Sequence, residues 1–324
     1  MGLDLSWEQR RVLVTGATGL LGGWLVRELV RDGADVVAIV RDSVPGTFME
    51  VEDLSGRITV CRGDVTDASL VRRVLAEYEV ETIFHLAAQT IVPIANRSPI
   101  STFETNIAGT WTVLEAARIG TPGAEVVVAS SDKAYGPSSR LPYREDYPLH
   151  GRSPYDVSKS CADLISQSYA TTWSMNVCVV RCGNLFGGGD RNYNRLVPGV
   201  IRDVMSGRRP VLRSDGTPVR DYIYAEDAAH AYLLLATAMR RDASLRGSPF
   251  NFSLEAPTSA LSVVNLILEV MGSELEPDIQ ARASGELEEQ YLDASAAHAR
   301  LGWQAQIPLA EGIKRTVEWY RAHG

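Results

Sequence analysis

Apolar residues along this chain fall in short blocks that alternate between two kinds of spacing. Nearly continuous apolar, β-branched runs occupy Arg11–Thr15 and residues 36–40, 58–61, 82–86, 125–130 and 177–181. Between them, apolar positions recur at helical spacing at Leu21, Trp24, Leu25 and Leu29, and through residues 68–78, 102–119 and 155–172. Strand runs with no polar alternation are those of strands covered by helices on both faces. The pattern predicts an α/β fold built on a parallel, doubly wound sheet.

After residue 183 the composition changes. The stretch Gly187-Gly188-Gly189-Asp190-Arg191-Asn192-Tyr193-Asn194-Arg195 suits neither a core strand nor a stable helix and reads as a binding loop. Helical patterns follow at 197–206, 225–238, 262–271 and 309–322, joined by short polar links, while Phe250-Asn251-Phe252 has the character of a strand returning to the sheet. The expected organisation is a first lobe over 1–183, with a return around 219–256, and a smaller mixed α/β lobe over most of 184–324.

Composition narrows the function classes. A chain of 324 residues, 45% apolar and 22% charged, buries a full core. Its net charge of -8 argues against nucleic acid or an anionic membrane as partner. Cys61, Cys161, Cys178 and Cys182 have no C-x-x-C spacing, so neither a disulfide framework nor a metal site is indicated, and Cys61, Cys178 and Cys182 read as core packing. No apolar run approaches the ~18 residues of a membrane helix. Residues 1–8 lack a signal-peptide profile, and their loose match to a myristoylation pattern reads as chance, which makes a cytoplasmic location the expectation.

Candidate chemistry sits at two places. The turn Gly16-Ala17-Thr18-Gly19-Leu20-Leu21-Gly22 lies between a predicted strand and a predicted helix. There the first glycine permits a tight turn, the second lets backbone amides approach a pyrophosphate, and the third lets the helix pack close. An acidic residue about 20 residues further on grips the adenosine ribose in such sites. Asp42 stands there and favours NAD, whereas its neighbour Arg41 suits the 2'-phosphate of NADP and keeps that alternative open. Asp64, after the third strand and followed by Val65, is placed to meet the adenine amino group. The second place is Tyr155 and Lys159, an i,i+4 pair whose ammonium lies beside the phenol and favours its ionised form. A phenol tuned in this way takes a proton from a hydroxyl.

Together with these, His85-Leu86-Ala87-Ala88, Asn106-Ile107-Ala108-Gly109-Thr110, Ser130-Ser131-Asp132 and Arg220-Asp221-Tyr222 resemble the extended short-chain dehydrogenase/reductase family over nearly the whole chain. Within it the chain is most similar to the nucleotide-sugar epimerases and dehydratases. Ser131-Asp132-Lys133, Gly188-Gly189-Asp190 and Leu301-Gly302-Trp303 resemble the CDP-glucose 4,6-dehydratases in particular. The resemblance implies a Rossmann-type cofactor domain and a nucleotide-sugar-binding lobe, with cofactor contacts at Gly16, Thr18, Gly19, Leu20, Leu21, Gly22, Leu86, Ala87 and Ala88. It also implies that Tyr155 removes the proton of the sugar's 4-hydroxyl, that Lys159 tunes Tyr155 and holds the nicotinamide ribose, that Ser131 bonds the sugar oxygen, and that Asn106 supports the lysine. Gln89, Thr90, Asn184, Arg191, Asn194, Arg195, Leu196 and Arg220 become the substrate contacts, with Arg220 on the diphosphate.

The resemblance further implies that Asp132 and Lys133 decide the fate of the oxidised sugar. With a ketone at carbon 4 the proton on carbon 5 is acidic, and a base there with an acid at the carbon 6 hydroxyl expels water. Asp132 matches the family's acid, and Lys133 stands where other dehydratases carry a glutamate base. The leading expectation is an NAD-dependent nucleotide-sugar 4,6-dehydratase. The shorter chain, Ala134-Tyr135-Gly136 and the general epimerase-like Arg220-Asp221-Tyr222 stretch keep a 4-epimerase as the rival. A noncatalytic dinucleotide-binding protein is the third reading, but it has no reason to keep Tyr155, Lys159 and Ser131 together. Family members pair through helices matching 102–119 and 155–172, so a homodimer is expected.

Overall fold

The computed structural model describes residues 6–42, 44–282 and 287–324; residues 1–5, on which most of the targeting reading rests, lie outside them. Its centre is a seven-stranded sheet made of β1 (Arg11–Thr15), β2 (Asp35–Val40), β3 (Thr59–Arg62), β4 (Thr82–His85), β5 (Glu125–Ala129), β6 (Val177–Cys182) and β7 (Pro249–Phe252). The strands lie in the order β3-β2-β1-β4-β5-β6-β7, and every pairing is parallel. This is a Rossmann-type doubly wound sheet whose strand order reverses between β1 and β4, where the carboxyl ends of the strands open a crevice.

Why these segments are strands is visible in their burial. Val12, Leu13 and Val14 of β1, and Val177, Cys178, Val179 and Val180 of β6, are wholly enclosed between two helical layers. Those layers come from α1 (Leu20–Arg31), α2 (Ala68–Glu77), α3 (Gly109–Gly120), α4 (Pro154–Trp173) and α6 (Ala225–Arg241). α4 begins with a full capping box, Ser153 bonding Asp156 N–H and Asp156 returning to Ser153 N–H, with Pro154 in the first turn. That start fixes where Tyr155 and Lys159 point. β7 adds Phe250 and Phe252, both fully buried, to the sheet's end.

α5 (Leu196–Met205), α7 (Ala260–Met271) and α8 (Leu309–His323) form the second layer of elements over the strand ends, laced by two- and three-residue strands. The long helix expected over 102–119 runs from Pro99 to Gly120 but contains a π-turn, Glu104–Ala108, that carries Asn106. Such turns insert a residue and re-aim side chains. The 3₁₀ turn Asp132–Tyr135, begun by Ser131 Oγ accepting from Lys133 N–H at 3.2 Å, and the helix Ser295–Leu301 have no counterpart in the hydrophobic pattern. Both are too short to show a period. Among the described residues no helix is long and apolar enough to cross a membrane.

Candidate active site

The crevice is a cleft of about 1160 Å³ running from the β1–α1 turn, past the ends of β2 to β6, to the strand Val211–Leu212. At its cofactor end the glycines have distinct jobs. Gly16 has φ +75°, and a Cβ there would lie 2.7 Å from the Ala87 nitrogen. A Cβ on Gly22 would overlap the Gly16 carbonyl oxygen, whereas one on Gly19 would meet only that oxygen at 3.3 Å. Gly19 also leaves the start of α1 with no side-chain cap, so the first N–H groups of the helix stay available to an anion. Thr18, Leu20, Leu21, Leu86, Ala87, Ala88 and Val65 line the same end. These residues fit a dinucleotide's pyrophosphate.

Arg41, Asp42 and Asp64, expected at the adenosine end, line the cleft as well. Asp42 is turned onto Arg41, its Oδ2 accepting from Arg41 Nε at 2.7 Å. Asp64 lies 3.6 Å from Arg41 Nη1 and accepts from Thr66 N–H and Oγ1–H at 2.9 and 2.8 Å. Burial pushes the Asp64 carboxyl up, but the Thr66 bonds and Arg41 outweigh it and hold it below its ordinary value. Arg41 is thus flanked by two carboxylates, an arrangement that repels a 2'-phosphate and suits the unphosphorylated ribose of NAD.

At the reaction end Tyr155, Lys159, Ser131, Asp132 and Lys133 line one wall, and all but half-buried Lys133 are less than a tenth exposed. Burial pushes the Tyr155 phenol up to about 12, opposed by a hydrogen bond with Ser131 and the charge of Arg195. Burial draws the Lys159 ammonium down to about 8, opposed by Asp163. Lys159, expected to tune Tyr155, donates its Nζ to the Ala129 carbonyl at 2.7 Å, and burial is the dominant influence on the phenol. Asn106, expected to support the lysine, bonds Gln89 and Ser158. Its Nδ2 donates to Ser158 Oγ at 2.8 Å and to the Gln89 carbonyl at 3.1 Å, and its Oδ1 accepts from Gln89 N–H at 2.7 Å. Ser158 Oγ in turn donates to the Tyr155 carbonyl at 2.7 Å, so Asn106 ties the Gln89 loop to the start of α4 and does not touch Lys159.

Lys133 lies 3.7 Å from Asp132 Oδ2, and its ammonium also donates to Gln290 Oε1. Ser131 Oγ donates to Asp132 Oδ1 at 2.9 Å. Behind this wall, Arg181 on β6 holds Asp163 on α4 through two bonds of 2.7 and 3.0 Å and donates to the Tyr135 hydroxyl at 2.8 Å. Tyr135 is stacked on Tyr143 with ring centres 4.8 Å apart. This buried network clamps α4 and the Asp132–Tyr135 turn to the sheet.

The predicted substrate contacts Gln89, Thr90, Asn184, Arg191, Asn194, Arg195, Leu196 and Arg220 also line the cleft. Arg195 bonds Asp190 at 3.0 Å and Thr90 Oγ1 at 3.3 Å, joining the glycine-rich stretch to the segment after β4. The Arg220 guanidinium donates to the Val219 and Leu287 carbonyls, both at 2.7 Å. Arg191 packs over Gly46 on the cofactor side. The glycine-rich stretch proves to be two things: Gly188 and Gly189 are wedged against Trp319 and Phe48, Asp190 is 4% exposed, and 191–195 provide the cleft-facing part. Gln290, Tyr232, Cys182 and Arg213 reach the cleft or its wall and were not singled out as site residues in the sequence. Only Cys182 carried a signal, in its apolar strand; the others depend on long-range packing. Among the described residues no group of three His, Cys, Asp or Glu side chains is placed to hold a metal.

A model of the NAD dependent epimerase/dehydratase family matches residues 12–251. The CDP-glucose 4,6-dehydratase of Salmonella typhimurium is 30% identical, the match covering 98% of this chain and 92% of the relative. The UDP-glucose 4-epimerase of Mycolicibacterium smegmatis is also 30% identical, over 96% of this chain and 98% of the relative. The dTDP-glucose 4,6-dehydratase of Streptomyces venezuelae, solved with NAD and TYD bound, superposes with a TM-score of 0.87 at 27% identity, covering 96% of this chain and 97% of that one. The chain is therefore an NAD-dependent enzyme of the nucleotide-sugar epimerase/dehydratase family, within the extended short-chain dehydrogenases/reductases.

Proposed function

We propose that the enzyme is a nucleotide-sugar 4,6-dehydratase. The observation that carries this is the Asp132–Lys133 pair, 3.7 Å apart on the cleft wall that also presents Tyr155 and Ser131. NAD held at the glycine turn would supply the acceptor for the hydride leaving carbon 4 and the donor that returns it to carbon 6, a proton being restored at carbon 5, to give a 4-keto-6-deoxy sugar. Tyr155, bonded by Ser131 and facing the charge of Arg195, takes the 4-hydroxyl proton. In the dehydration step Lys133, ion-paired with Asp132, first passes a proton to it. With it on Asp132, the amine is neutral and accepts the carbon 5 proton while Asp132 protonates the departing carbon 6 hydroxyl, so that water leaves and charge balances.

Arg195, Thr90 and Asn184, with Arg220 behind the diphosphate, form the nucleotide-sugar side, and the stretch 184–324 contributes most of that lobe. The 4-epimerase reading has one finding in its favour, the equal 30% identity to an epimerase. A panel of nucleotide-glucoses incubated in heavy water separates the two. Loss of one water with deuterium at carbon 5 supports the dehydratase, and an isomer of unchanged mass without deuterium refutes it. We also infer a homodimer through the apolar face of Ile100, Phe103, Ile107, Trp111 and Val157, with Ile100 71% exposed; a monomer mass in light scattering contradicts it.

A further inference from the structure

Gln290 lies far along the chain from the catalytic wall, in the two-residue strand Glu289–Gln290, yet it is 1% exposed and both ends of its amide are committed to one dipeptide. Its Oε1 accepts from Lys133 Nζ, and its Nε2 donates to the Asp132 carbonyl at 3.0 Å. The strand pairs in parallel with Val219–Arg220, Gln290 opposite Arg220, and the Arg220 guanidinium grips the carbonyls just before it. The same backbone therefore touches the diphosphate arginine on one side and the proton-transfer pair on the other.

We propose that Gln290 is a positioning residue that holds Lys133 beside Asp132 through the proton exchange; its effect on water loss rests on the dehydratase reading. The chemistry of the amide suits this task. A carboxylate in its place would trap the ammonium, whereas a neutral amide oxygen accepts an N–H from lysine in either protonation state. Lys133 keeps its anchor while it gives up and regains a proton. The bond from Nε2 to the Asp132 backbone fixes the distance between anchor and acid, and a purely structural glutamine has no need to direct both ends at these two residues.

The test compares wild type, Q290L, K133A and Q290L/K133A, all loaded with NAD. Carbon 4 oxidation is monitored by nicotinamide absorbance in the first turnover, and water loss by mass in heavy water, using CDP-, UDP- and dTDP-glucose. Q290L is expected to slow water loss by about tenfold or more, as for a lost bond to a charged group. Oxidation should stay within about threefold of wild type, and Q290L should add nothing once Lys133 is gone. An equal penalty in both backgrounds, or a parallel loss of oxidation, overturns the proposal. Should Q290L not fold, Q290E serves instead, and it must slow water loss through Lys133 in the same cycle. Titration of the Lys133 ε-¹³C signal, assigned by its absence in K133A, is an activity-independent readout. If wild type yields only an isomer, the dehydratase reading falls, and the positioning role stands or falls on whether Q290L moves that titration.

Discussion

Replacing Asp163 by asparagine removes one charge from the clamp between α4 and β6 while keeping the side chain's shape. Arg181 meets Asp163 through 2.7 and 3.0 Å bonds, with the two side chains 2% and 0% exposed. Breaking a buried pair from one side strands the other charge and costs about 3–5 kcal/mol. Arg181 keeps the Tyr135 hydroxyl and the Glu145 carbonyl at 2.8 and 3.1 Å, so the lower figure, ~3 kcal/mol, is expected. Unfolding entropy for a chain of this length is about 0.7 kcal/mol per kelvin, which makes the drop in Tm about 4 °C. There is a catalytic consequence too. Asp163 is the charge that opposes the burial of Lys159, so its loss lowers the lysine further from about 8. If the ammonium is the working form, the alkaline limb of carbon 4 oxidation moves to lower pH in Asp163→Asn. Guanidinium melts and single-turnover oxidation from pH 6 to 9.5 check both parts. A loss below about 1 kcal/mol with an unmoved alkaline limb refutes the reasoning that the pair is buried and coupled to Lys159.

Tyr155→Phe should lower carbon 4 oxidation by about 10²–10⁴-fold, while NAD binding and Tm change little, because the phenol's neighbours are Ser131 and the cleft. Gly22→Ala sets a methyl against the Gly16 carbonyl, so weaker NAD retention and a fall of about 1–3 kcal/mol in stability are expected from dye-monitored melting. His230, raised by its bond to buried Glu28, adds stability that is complete below pH ~6.5 and fades as pH rises through its higher folded value. The stability difference between wild type and His230→Gln should trace that course across pH 5–9, and a difference that grows with pH contradicts it.

The strands of the main sheet and the longer helices were legible in the amino-acid sequence because each buries its own run of side chains, and burial on two faces writes a continuous apolar block where amphipathic helices write a period. The glycine turn was legible for a related reason: Gly16 and Gly22 are demanded by close backbone contacts. Tyr155 and Lys159 were legible as a pair because a helix places i and i+4 on one face.

What those residues touch was decided elsewhere. Lys159 bonds Ala129 from the neighbouring strand, Asn106 meets Gln89 and Ser158, and Asp42 meets the adjacent arginine. Gln290 reaches Asp132 and Lys133 across more than a hundred and fifty positions, from a strand too short to leave a periodic trace. Desolvation, which sets the Tyr155 and Lys159 proton affinities, is likewise a property of the assembled walls. Local sequence determined which chemical groups this enzyme owns and the scaffold that carries them; only tertiary packing decided their partners, because hydrogen bonds and burial depend on distance in space and not on separation along the chain.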